Sequence, residues 1–155
     1  MWTETAEGQQ LIGEVSRDLV TQVAPEEMEM FDDLLQDYFQ YPTPPDAGDD
    51  PLGFGGDVLV VVTPVVTAVV GAVVTFLWNE IVKTAKEEGS AFIAEKVKAF
   101  FHPPKETQAD SSGLTRAQLQ HIKEIVQKGA VRRGMRAKKA EDLALLVVAK
   151  IALNK

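Results

Sequence analysis

Apolar positions repeat at helical spacing along most of this chain. In "GQQLIGEVSRDLVTQV", Leu11, Ile12, Val15, Leu19 and Val20 fall on one face of a helix. "APEEMEMFDDLLQDYF" restarts the pattern, with Met28, Phe31, Leu34, Leu35, Tyr38 and Phe39 as its stripe. Pro25 suits a first helical position, and Glu26 and Glu27 suit the positive end of the helix dipole. The spacing predicts a helical hairpin over residues 1–40, its two stripes packed together or docked on a partner. Residues 41–57, "YPTPPDAGDDPLGFGGD", break any regular pattern with proline, glycine and aspartate and read as a linker.

Charged positions then stop. "VLVVVTPVVTAVVGAVVTFLW", Val58 to Trp78, holds 21 residues and no charge. As a helix it rises roughly 31 Å, about the thickness of a bilayer's hydrocarbon core. Trp78 stands where an interfacial aromatic is expected. Thr63, Thr67, Gly71 and Thr75 recur every fourth residue, widened by Ala68 and Ala72. They form a ridge of small side chains, the kind that lets transmembrane helices approach closely. The same ridge also suits the face of a buried soluble helix. Ten valines and three threonines in the run are β-branched, so buried strands are the alternative secondary structure. Pro64 near the start is better tolerated by a helix.

The periodicity returns in "NEIVKTAKEEGSAFIAEKVKAFF", so residues 58–101 read as an apolar helix continuing into an amphipathic one. The proline pair in "HPPKETQADSSG" makes residues 102–114 a second linker. Residues 115–155 read as a C-terminal helical pair. Thr115 and Gln118 have the spacing of a capping box, Leu114 and Leu119 that of a staple, and Gly129 is a candidate stop. "VRRGMRAKK" is a basic joint, and "AEDLALLVVAKIAL" is a last helix apolar nearly all round. The expected fold is all-α: an N-terminal helical hairpin, one long apolar helix that is a candidate transmembrane segment, and a C-terminal helical hairpin.

Charge divides the chain. Residues 1–57 hold 14 acidic side chains and one basic one, Arg17, whereas residues 79–155 hold 15 basic and nine acidic. By the positive-inside rule the basic side of a membrane span stays cytoplasmic. The acidic half and the scarcity of aromatics in the basic half argue against nucleic acid as partner. The first ten residues show no basic and apolar pattern of a signal peptide, so a chain made soluble with its run shielded, inserting when triggered, fits these features.

Candidate chemistry is sparse. There is no cysteine, and the only histidines, His102 and His121, have no carboxylate at metal-ligand spacing and read as surface residues. No phosphate loop, dinucleotide fingerprint, nucleophile elbow or zinc-protease motif occurs. No catalytic, cofactor or metal residue is therefore expected, and a small enzyme is the weakest reading.

Three short stretches carry a resemblance: "PLGFG", Pro51 to Gly55; "VVTPVV", Val61 to Val66; and "LTRAQL", Leu114 to Leu119, with the apolar helix Leu143 to Leu153. Their order resembles small uncharacterised bacterial proteins of predicted defence or conflict gene neighbourhoods with one apolar helix. In those the apolar helix is often interrupted by charge, and here it is not. The expected function is a non-enzymatic, membrane-inserting, self-associating bacterial protein at the inner membrane. It would be a membrane-disrupting antiviral defence effector controlled by a regulatory protein or protease. Arg132 and Arg133 form the candidate cleavage joint, and cutting there would release the last helix as a cover over the apolar run. The alternative is a soluble helical adaptor or scaffold that keeps the run in a protein interface.

Overall fold

A computed structural model describes residues 2–40, 61–85, 87–101 and 114–152. The linker 41–57, the start of the apolar run (58–60) and residues 102–113, with His102, lie outside the described residues. Those described are all-α: α1 (Ala6–Val23), α2 (Phe31–Gln40), α3 (Val62–Thr84), α4 (Ser90–Phe101), α5 (Arg116–Arg132) and α6 (Ala137–Ala152). Short 3-10 turns, Trp2–Glu4 and Pro25–Met30, precede α1 and α2. No strand occurs among the described residues, and the β-branched run is helical from Val62 onward.

The apolar helix α3 is the axis of the bundle. It packs against α1, α2, α4 and α5, while α6 packs chiefly on α5 and touches α1 and α4. Val66, Val69, Val70, Val73, Val74 and Leu77 of α3 are buried. Leu19 and Val20 of α1, Phe31 of α2, Val97 and Phe101 of α4, and Ile122 and Val126 of α5 join them in one core. Such burial contributes roughly 1.5–3 kcal/mol for each large apolar side chain. α1 and α5 both run antiparallel to α3. Trp2 stacks on Trp78 and Gly71 faces Ile12; His121 stacks on Phe76 and Gly129 lies against Val69.

Local chemistry sets several boundaries. Thr5 caps α1 by accepting from the Gly8 amide at 3.1 Å. Its hydroxyl donates to the Trp2 carbonyl at 2.6 Å, which folds the first turn back over the helix. Gly8 is required there, because a Cβ would stand 2.2 Å from the Trp2 carbonyl oxygen. Thr115 and Gln118 make the expected capping box. Gly129 does not stop α5, which runs on to Arg132. The stop is Gly134, whose φ of 103° is the left-handed conformation that glycine adopts without strain.

Four further expectations shift in detail. Pro25 opens a 3-10 turn rather than an α-helix, and α2 begins at Phe31. The stripe of α2 lies mainly on α3, with Leu35 also closing on Gly13 of α1. α3 ends at Thr84 and α4 begins at Ser90, so the apolar and amphipathic segments are two helices. α6 is one-faced: Leu143, Ala144, Val147 and Ile151 are buried, and Leu145 is exposed.

Candidate interaction groove and the buried cap of the central helix

The N-terminus of α3 lies inside an apolar stretch with no capping side chain of its own, because Val61 occupies the cap position. Helix N-termini leave backbone N–H groups without intrahelical partners. Here Glu27, from the turn before α2, supplies the acceptor. One carboxylate oxygen accepts from the Val62 amide at 2.7 Å, and the other accepts from the Thr63 amide and hydroxyl, each at 2.7 Å. The third position is Pro64, which has no N–H to satisfy. Only 9% of Glu27 remains exposed. A carboxylate at this end also meets the positive pole of the helix dipole. Thr67 then donates to the Thr63 carbonyl at 2.7 Å, so both threonine hydroxyls are satisfied within the fold.

The ridge of small residues therefore divides. Thr63 and Thr67 are buried in the cap network, whereas Gly71 and Thr75 are half-buried and open onto a groove. Thr67, Ala68, Ala72 and Thr75 share its lining with Tyr38 and Phe39 of α2, and Ile12 and the N-terminal turn close it. Its volume is about 290 Å³. That is at the lower edge of ligand pockets, and the groove is open to solvent. It suits a few side chains of a protein partner better than an enclosed small molecule. Burial pushes the Tyr38 hydroxyl's pKa up, partly offset by the nearby Arg133 guanidinium.

Polar contacts tie the other end. Glu80 of α3 accepts from Lys83 at 2.8 Å and from Gln118 at 2.7 Å, joining α3 to the capped start of α5. These bonds hold the Glu80 carboxyl below the usual carboxylate range. Lys98 of α4 donates to Glu7 of α1, which lowers the Glu7 pKa and raises that of Lys98. Arg132 is exposed at the end of α5, and Arg133 donates back to the Gly129 carbonyl at 3.0 Å. Among the described residues no three His, Cys, Asp or Glu side chains group as metal ligands.

The ridge is visible from spacing alone, whereas Glu27 reads from sequence only as a partner of its own helix dipole. A signal was present: a helix beginning inside "VVVTPVV" needs an acceptor from elsewhere in the chain. The fold defines the class as an all-α bundle around one apolar helix. Searches of protein-family models, curated proteins and solved structures find no match to the chain.

Proposed function

We propose that this chain works as a soluble, non-enzymatic helical adaptor that carries the apolar run inside its own fold. The observation that supports this most is the setting of α3. Four helices wrap it, and its N-terminal donors are satisfied by the buried Glu27 carboxylate. Leaving that setting for lipid breaks three hydrogen bonds to a charged acceptor, each worth roughly 1.5–3 kcal/mol. The groove beside Gly71 and Thr75 offers partner side chains an apolar floor.

A second reading is favoured by one specific observation. α3 is 23 residues long with a mean hydropathy of 1.9 in its most apolar stretch, enough to cross a bilayer, and half of that stretch is buried in the bundle. On this reading the bundle is the stored form of a self-associating effector that inserts into the inner membrane when a partner or protease acts.

Expression, fractionation and carbonate washing of the pellet test the two. The adaptor reading expects a soluble protein with a cooperative helical melt. A carbonate-resistant membrane pellet overturns it in favour of the second reading.

A further inference from the structure

The end of the bundle at the α3 N-terminus combines features that the adaptor reading leaves unused. The turn Pro25–Met30 is fixed there by the Glu27 bonds to Val62 and Thr63. The α5–α6 joint reaches the same end, because it follows Gly129, which lies against Val69 in an antiparallel helix. Five large apolar residues are exposed among the described residues. Three of them belong to this end: Met30 at 52%, Val61 at 46% and Val131 at 44%. Beside them stand two sets of exposed charge of opposite sign. Glu26, Glu29 and Asp33 lie on the turn and the start of α2; Lys128, Arg132 and Arg136 lie on α5 and the joint. None of these six forms an ion pair with another described residue.

We propose that this end is a two-fold interface with a second copy of the chain. A two-fold operator brings the same patch of both copies together, so each acidic set meets the partner's basic set. Met30, Val61 and Val131 are then covered at the centre, with the charges at the rim setting register. A head-to-tail contact would leave one complementary pair of sets open on every copy, whereas the two-fold contact closes both. An anionic membrane fits the geometry less well, because Glu26, Glu29 and Asp33 share the end and repel it. The interface rests on the soluble reading, in which α3 stays within the bundle.

Sedimentation equilibrium on the full chain is the test, with circular dichroism run in parallel. The expected result is a folded dimer that dissociates on dilution and weakens as salt rises from roughly 0.05 to 0.5 M. Arg132→Glu with Arg136→Glu should weaken it on the order of tenfold or more, as should Glu26→Arg with Glu29→Arg. Mixing the two reversed proteins should restore a heterodimer, since each then presents one sign to the other. A folded monomer at all concentrations overturns the interface and leaves the adaptor reading standing. Failure of the mixture to associate also overturns it, as does wild-type binding to anionic vesicles in place of dimerisation. A chain that is helical only in detergent instead removes the soluble reading itself.

Discussion

Glu27 is the residue on which the position of α3 depends most directly. Glu27→Ala strips the acceptor from two backbone amides and one hydroxyl in a buried place. Leaving such groups unpaired costs about 1–3 kcal/mol, more where the acceptor was charged. Glu27→Gln keeps one acceptor oxygen and should lose less. Urea denaturation gives the ranking, and hydrogen exchange at Val62 and Thr63 should quicken in both variants. Ser16 is the opposite case. It is fully buried, and its hydroxyl has no hydrogen-bond partner among the described residues. Ser16→Ala should therefore stabilise, by up to about 1 kcal/mol, and a higher melting temperature is the expected outcome.

At the scale of elements, α3 separates the two functional readings. Val69 is almost fully buried against α5. Val69→Arg puts an unpaired charge in the core and should abolish the cooperative melt. On the second reading, in which the bundle is only a stored form, the same change would also remove carbonate-resistant membrane association, because a charge near the centre of the run opposes insertion. Gly71→Leu probes the groove. A Cβ at Gly71 stands 3.9 Å from Ile12, an ordinary contact, with the open groove beyond. The variant should fold and melt no lower than the parent, because removing a glycine from a helix interior contributes roughly 0.5–1 kcal/mol. Loss of crosslinked oligomers in membranes would speak for the second reading. Most elements were legible in the sequence because their cores are built at helical spacing. Thr115 and Gln118 announced the start of α5 for the same local reason. Its end was misplaced because glycine ends a helix only where the backbone turns left-handed, and that occurs at Gly134, not Gly129. The role of Glu27 was hidden because its partners lie 35 and 36 residues away.

The described helices pack around α3, with α6 outside them on α5, and exposed polar contacts tie them at the surface. Glu80 and Glu7 both have lowered pKa values in the fold. Their contribution is fully present above the ordinary carboxylate pKa and is lost as pH falls through the lower folded value. Lys98 is raised, so its part is fully present below the ordinary lysine pKa and is lost as pH rises through the higher folded value. Thermal melts from pH 7 downward should show a shallower acid loss in Glu80→Gln than in the parent. The difference should be small, because these groups are solvent-exposed and screened. A chain ending at Val131 lacks α6, whose Leu143, Ala144, Val147 and Ile151 belong to the core. On the adaptor reading it should lose its cooperative melt. A truncated chain that stays compact and moves to membranes would instead make the C-terminal helix a cover.

The stack of Trp2 on Trp78 gives the molecule an optical gauge. These are both of the chain's tryptophans, with ring centroids 5.2 Å apart and planes 19° from parallel. Two indoles so close share their excitation, and the paired transitions leave a split signature in circular dichroism that one isolated indole lacks. One ring belongs to the folded-back N-terminal turn and the other to the C-terminal half of α3. Any movement of α3 out of the bundle must part them. The split signal should vanish at that moment while the helical circular dichroism persists, so departure of the helix is distinguishable from its melting without an added label.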